Sequence, residues 1–188
     1  MEVRTILFIG KPGSGKGTQA KLLSEVTGSP IMSSGDAFRA IAKEDSMVGR
    51  RVHEELSQGL LMPEWFAMYL FQKSVFSLSE TSSVLFDGFG RKLPEAKMVV
   101  DVLSWLGRKL EVVHIRVSDE HILNRIEKRK GIEGRADDQN IVKRLEEYRA
   151  YTEPSIEFFR SATSFVEVDG EPDIETIHKD IVSKLHVA

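Results

Sequence analysis

Residues 3–18 read VRTILFIGKPGSGKGT, and this stretch decides the fold. Thr5–Ile9 is an apolar, partly β-branched run of the kind that forms a buried strand. It leads directly into Gly10-Lys11-Pro12-Gly13-Ser14-Gly15-Lys16, the G-x-x-x-x-G-K spacing of a phosphate-cradling loop. A helical pattern follows, with Ala20, Leu22, Leu23 and Val26 on its apolar side. Glycines let backbone N–H groups crowd around phosphate oxygens. The helix N-terminus adds partial positive charge, and Lys16 adds a full one. A plain Gly-rich turn is the competing reading, but strand–loop–helix is the context the motif requires. The usual motif places Ser or Thr after the Lys to ligate Mg²⁺. Here Gly17 holds that place and Thr18 follows, so the motif does not secure direct hydroxyl ligation.

A chain of 188 residues, 41% of them hydrophobic, can bury the core of one domain. Its formal net charge of −3 gives no general attraction to nucleic acid or membrane surfaces. The absence of cysteine excludes disulfides, a thiol nucleophile and cysteine-ligated zinc. His53, His114, His121, His178 and His186 lack metal-ligand spacing and read as surface or core residues. Met1–Gly10 is too short for a signal peptide, and no apolar run reaches membrane-spanning length. A cytoplasmic protein is expected, with neither nucleic acid nor membrane as a partner.

Candidate strands are Val3–Ile9, Pro30–Met32, Ser83–Phe86, Glu111–Val117 and Thr163–Val168. Candidate helices are Gly15–Val26, Gly35–Lys43, Val48–Gln58, Pro63–Phe76, Pro94–Leu106, Asp119–Lys128, Gln139–Thr152, Pro154–Arg160 and Asp173–Leu185. This alternation predicts an α/β fold, a parallel sheet covered on both faces. Pro154, inside an otherwise helical run, is expected to break or kink it. Two stretches exceed a minimal sheet: three helices without a strand between Met32 and Ser83, and the charged Gly-bearing loop Lys130–Asp138. Ligands of open α/β sheets bind at the carboxyl ends of the strands, which is where lids would stand.

Lys16-Gly17-Thr18-Gln19 resembles the nucleoside monophosphate kinases, adenylate kinases above all. Four further stretches resemble that family in order: Ser33–Arg39, Asp87-Gly88-Phe89-Gly90-Arg91, Gly134–Asp138, and Lys143–Tyr148 with Thr152-Glu153-Pro154. The match runs from about Thr5 to Asp169. It implies a P-loop kinase-type three-layer fold with a five-stranded parallel sheet in the order 2-3-1-4-5. Residues 1–188 would be one domain, with a helical monophosphate-binding insert over 33–62 and a short lid over 130–138. The implied reaction moves the γ-phosphoryl group of ATP to a nucleoside monophosphate, AMP first, in a monomer that uses Mg²⁺.

The resemblance also assigns roles. Gly13, Ser14, Gly15, Lys16, Gly17 and Thr18 would hold the donor phosphates. Arg125 would lie along the donor base, and Arg129 would reach the donor phosphates. Arg39, Arg91 and Arg144 would grip the acceptor phosphate, with Arg135 closing from the lid. Ser34, the backbone of Leu60, Leu61 and Met62, and Gly88 would surround the acceptor nucleoside. Asp87 would hold Mg²⁺ through water. The arginines suit this chemistry independently, because planar permanent cations bind phosphate bidentately and spread transition-state charge. Solvated helix charge is the competing reading for each.

Three positions depart from the family. Gly90 replaces a proline that usually follows a cis bond, so the turn is either strained or rebuilt as trans. A cis bond before a non-proline residue costs ~2.5–4 kcal/mol. Glu95 replaces a Gln that reads the acceptor adenine; a carboxylate only accepts, which suits guanine better, unless Glu95 simply faces water. The segment between Asp138 and Arg144 is slightly short. Other acceptors (UMP, CMP, GMP), a small-molecule kinase of the shikimate type, and a nucleotide-binding regulatory or assembly protein without transferase activity stay open.

Overall fold

A computed structural model gives the architecture. It describes residues 3–130 and 140–187, and of residues 129 and 130 only the backbone. The expected lid, 130–138, lies outside the described residues except for the backbone of Lys130. Strand β1 (Thr5–Gly10) feeds helix α1 (Lys16–Thr27). After β2 (Ile31–Ser33) come α2 (Ser34–Ile41), α3 (Met47–Ser57) and α4 (Glu64–Phe76). Then follow β3 (Val84–Asp87), α5 (Leu93–Trp105), β4 (Leu110–Arg116) and α6 (Asp119–Lys130). Helix α7 (Ile141–Glu147) continues through a π-helical turn, Tyr148–Thr152, into α8 (Glu153–Ala162). Strand β5 (Ser164–Asp169) and α9 (Ile174–Leu185) complete the described chain.

The strands form one parallel sheet in the order β2-β3-β1-β4-β5, as expected. Side-chain alternation splits β1 between two cores. Leu7 and Ile9 join Phe71, Phe86, Phe89, Val112 and Phe159 on one face. Ile6 and Phe8 join Leu23, Val113, Ile122 and Ile181 on the other. Burial on both faces explains why β1 reads as a continuous apolar run. Each fully buried side chain of this size is worth ~1.5–3 kcal/mol of transfer free energy. Because all strands point one way, their carboxyl ends and the loops after them share one edge.

The expected strands lie within a residue or two of the observed ones. Asp173 caps α9, its side chain accepting from Thr176 N–H at 2.9 Å. Of the two outcomes expected at Pro154, a break is not seen: the chain stays helical through it. The π-helical turn lies just upstream, and Pro154 falls in the first turn of α8. Proline clashes with the carbonyl four residues back in a regular α-helix. A wider π turn absorbs that conflict without ending the helix.

Candidate active site

The side of the cleft formed by Gly10–Thr18 is made mostly of backbone. Gly15 precedes α1 at φ 95, a left-handed conformation that favours glycine, and no side chain caps the helix there. The first-turn N–H groups therefore carry no capping side chain. Lys16 Nζ donates to the carbonyls of Gly10 at 2.9 Å and Lys11 at 2.8 Å. Its ammonium is thus held inside the loop, at carbonyls whose place phosphate oxygens could take.

Asp87 ends β3, paired with Phe8 in β1. Its Oδ1 is buried without a hydrogen-bond partner. Its Oδ2 lies 3.5 Å from where a Cβ on Gly17 would stand, so the carboxylate abuts the start of α1. A buried carboxylate oxygen without a partner is costly and calls for a ligand or water. Among the described residues no group of three or more His, Cys, Asp or Glu could hold a metal. Mg²⁺ asks for less, because it keeps several waters and binds through one or two carboxylates plus phosphates. Asp87 beside the phosphate loop fits that donor set.

Arg125 on α6 donates to the carbonyl of Gly170 at 2.6 Å and stands 3.5 Å from that of Ser14. It joins the phosphate loop to the β5–α9 connection. Pro172 and Asp173 of that connection and Ile174 at the start of α9 line the same cleft, and Gln19 ties this wall to α1 through the Ile174 carbonyl at 3.0 Å. Sequence reading missed this wall. The position after a fifth parallel strand was the available signal, by the same edge rule that found the other loops.

The opposite side of the cleft is assembled from several elements. Ser34 Oγ donates to the Gly88 carbonyl at 2.8 Å, and Arg91 Nε donates to the same carbonyl at 2.7 Å. This joins the start of α2 to the turn after β3. Arg39 pairs with Asp36 at 2.6 Å and lines the cleft. Leu60, Leu61, Met62 and Arg144 line it as well. The Leu61 N–H meets Glu147 Oε2 at 3.4 Å, a link from α7 that sequence reading did not find. The side chain of Arg129 and all of Arg135 lie outside the described residues, so the structure places neither.

The turn Asp87–Arg91 is rebuilt as trans, with no cis peptide bond among the described residues. Gly90 takes φ 67, and a Cβ there would stand 2.8 Å from Phe159 Cζ. Glycine is therefore required both by the backbone and by the packing of α8.

Glu95 corrects the reading of a solvated helix-start acid. It is 3% exposed and lines the cleft. Its Oε2 accepts from Arg91 N–H at 2.9 Å and Lys92 N–H at 3.4 Å, capping α5. Burial pushes its carboxyl above the usual range, against the pull of the N–H groups of Lys92 and Arg91.

Both sides open into one cleft of about 560 Å³ at the carboxyl edge of the sheet, from Gly13 and Lys16 across Asp87 to Arg91 and Glu95. The arrangement can hold two anionic ligands end to end, with cations at their junction.

Comparison with known proteins agrees with this geometry. The family model for adenylate kinase matches residues 8–164. The chain is 32% identical to an adenylate kinase of Caulobacter sp. (strain K31) over 185 residues, covering 97% of this chain and 98% of that protein. It is 33% identical to one of Porphyromonas gingivalis, covering 92% and 90%. It is 35% identical to one of Thermus thermophilus, covering 89% of each.

Proposed function

The chain belongs to the adenylate kinase family, and on that premise we propose that it transfers the γ-phosphoryl group of ATP reversibly to AMP, giving two molecules of ADP. It is a phosphotransferase of the nucleoside monophosphate kinase class. The observation that carries the proposal is the joining of the phosphate loop and the Ser34–Gly88–Arg91 cluster in one cleft, with Asp87 between them. A binding protein for one nucleotide needs only the first of these.

In the proposed mechanism the loop Gly10–Thr18 holds the donor β- and γ-phosphates. Lys16 leaves the carbonyls of Gly10 and Lys11 for their oxygens. Arg125 and the Gly170–Asp173 connection flank the donor base. Ser34, Gly88 and the Leu60–Met62 backbone surround the acceptor nucleoside, and Arg39, Arg91 and Arg144 grip its phosphate. Arg129 and Arg135 serve the same transfer by resemblance. Asp87 would hold Mg²⁺ through water, and the metal would supply charge that neutralises the phosphates. Positioning and electrostatic stabilisation carry the rate, so no general base is assigned. Residues 33–62 act as the acceptor clamp and 130–138 as the lid of a single domain. A monomer is the proposed working form, since both walls of the cleft come from one chain, and a cytoplasmic location is proposed with it.

A coupled assay tests this, with Mg²⁺ and ATP against AMP, UMP, CMP and GMP in turn. AMP should give the highest kcat/KM. Transfer to none of them would leave a nucleotide-binding protein, and a clear preference for another monophosphate would move the acceptor assignment.

A further inference from the structure

Lys11 is the other lysine of the phosphate loop, and its side chain turns away from the carbonyls that hold Lys16. Its Nζ donates to the Val117 carbonyl at 2.9 Å and to Asp119 Oδ1 at 2.5 Å. The other carboxylate oxygen of Asp119 accepts from Arg149 Nη2. One carboxylate thus joins three places: the phosphate loop through Lys11, the start of α6 through its own backbone, and the π-helical turn through Arg149. Helix α6 carries Arg125 and leads into residues 131–139; the π turn follows α7, which carries Arg144. Lys11 is also held at its other end, since its carbonyl accepts from Lys16 Nζ at 2.8 Å.

An exposed ion pair would mean little here, because such pairs are screened and cost side-chain entropy. The Arg149 arm is such a pair, with Arg149 51% exposed, but the Lys11 arm differs in construction. The Lys11 side chain is only 19% exposed and has a backbone carbonyl as a second acceptor. The hydrogen bond from Lys11, then that from Arg149, holds the Asp119 carboxyl below the usual carboxylate range, so it is ionised wherever the fold is intact near neutral pH.

We propose that Asp119 is a positioning residue for donor binding: with Lys11 and Arg149 on its two oxygens, it fixes the phosphate loop to both chain segments that flank residues 131–139. The proposal rests on reading Gly10–Thr18 as the donor-phosphate site. Asp119 touches no donor atom in it and acts through the loop.

The sign of one substitution separates this node from simple charge. Asp119→Asn removes a negative charge near the donor phosphates. Long-range electrostatics alone would then tighten ATP binding, whereas loss of the node should loosen it. Calorimetric titration of the full chain with Mg²⁺-ATP, and separately with AMP, reads the difference. We expect Asp119→Asn and Lys11→Met each to weaken ATP binding about threefold to tenfold, a coupling typical of residues in one ion network. The double variant should be little worse than either single one, AMP affinity should stay within about twofold, and Lys11→Arg should recover most of the loss. ATP binding by Asp119→Asn as tight as wild type, or tighter, overturns the node. So does an equal loss for ATP and AMP, which would mark general loosening of the fold. If the wild-type protein binds AMP but no ATP, the donor-site reading itself fails and the node falls with it.

Discussion

One unbroken stretch, Gly10–Lys16, builds most of the donor side of the cleft. The acceptor side draws Ser34 from α2, Leu60–Met62 from the α3–α4 connection, Gly88 and Arg91 from the turn after β3, and Glu95 from α5. In the proposed reading the donor side works through backbone N–H groups and one lysine, and the acceptor side through side chains and backbone groups from separate elements held by long-range contacts. The departures from the family pattern that bear on the cleft's geometry, Gly90 and Glu95, fall on the acceptor side. A backbone cradle has few ways to change, because every residue in it serves one turn geometry. A wall assembled from separate elements can exchange a residue, provided that its neighbours absorb the change. Here Phe159 fills the space beside Gly90, and the N–H groups of Arg91 and Lys92 occupy Glu95.

The largest effect should come from the donor side. Lys16→Ala removes the cation that, in the proposed mechanism, leaves its loop carbonyls for phosphate. We expect at least a ~10²-fold loss of kcat, several kcal/mol of transition-state stabilisation, with the fold retained. The loss follows from Lys16 standing in a ligand loop outside both cores. Near-normal turnover by the folded variant would falsify the donor reading and erase the contrast between the two sides.

Asp87 stands where the two sides meet, so its removal should depend on metal. Asp87→Asn should lower apparent Mg²⁺ affinity or activity about 10- to 100-fold, the usual range for groups that act through a metal's bound water. Activity measured against Mg²⁺ concentration reads this. An unchanged Mg²⁺ dependence would free Asp87 from the metal and make its buried Oδ1 a purely structural oddity.

Gly90→Ala tests how the acceptor wall absorbed its change. The new Cβ would sit at φ 67 and 2.8 Å from Phe159 Cζ. We expect a stability loss of about 1–3 kcal/mol by denaturant unfolding, with KM for AMP rising more than KM for ATP as Arg91 shifts. An ATP effect as large as the AMP effect would show that the two sides are not independent.

The same contrast explains what could be read from sequence. Strands buried on both faces announce themselves as apolar runs, so the sheet and its helices were legible to within a residue or two. Consecutive motifs were legible too. The π-helical turn at Tyr148–Thr152 was not, because Pro154 signals a conflict in the helix without saying how it is resolved. The links Glu147–Leu61 and Lys11–Asp119–Arg149 were invisible for another reason. A charged residue on a helix or in a loop reads as solvated until the fold brings its partner from 30 or more positions away.

The smallest effect is the one that sharpens the comparison most. Glu95 spends its Oε2 on the N–H groups of Arg91 and Lys92. In Glu95→Gln the amide oxygen can keep that role, while the NH₂ becomes a donor toward the cleft. If Glu95 faces the acceptor base, adenine gains a partner for its ring nitrogen. A recovered hydrogen bond is worth ~0.5–1.5 kcal/mol, so KM for AMP should fall severalfold with little change for ATP. Guanine would lose an acceptor instead, so KM for GMP should rise. Stability should change as well, and its sign follows from burial. A carboxyl raised in the folded state contributes stability that is complete below its unfolded value, about 4.3, and is lost as pH rises through the folded value. Glutamine cannot ionise and escapes that loss. The Tm of Glu95→Gln should therefore gain on wild type as pH rises from the acid range toward neutrality. A growing Tm difference with no change in either Michaelis constant would leave Glu95 as a buried cap of α5 and nothing more. The acceptor choice would then have to come from elsewhere in the wall.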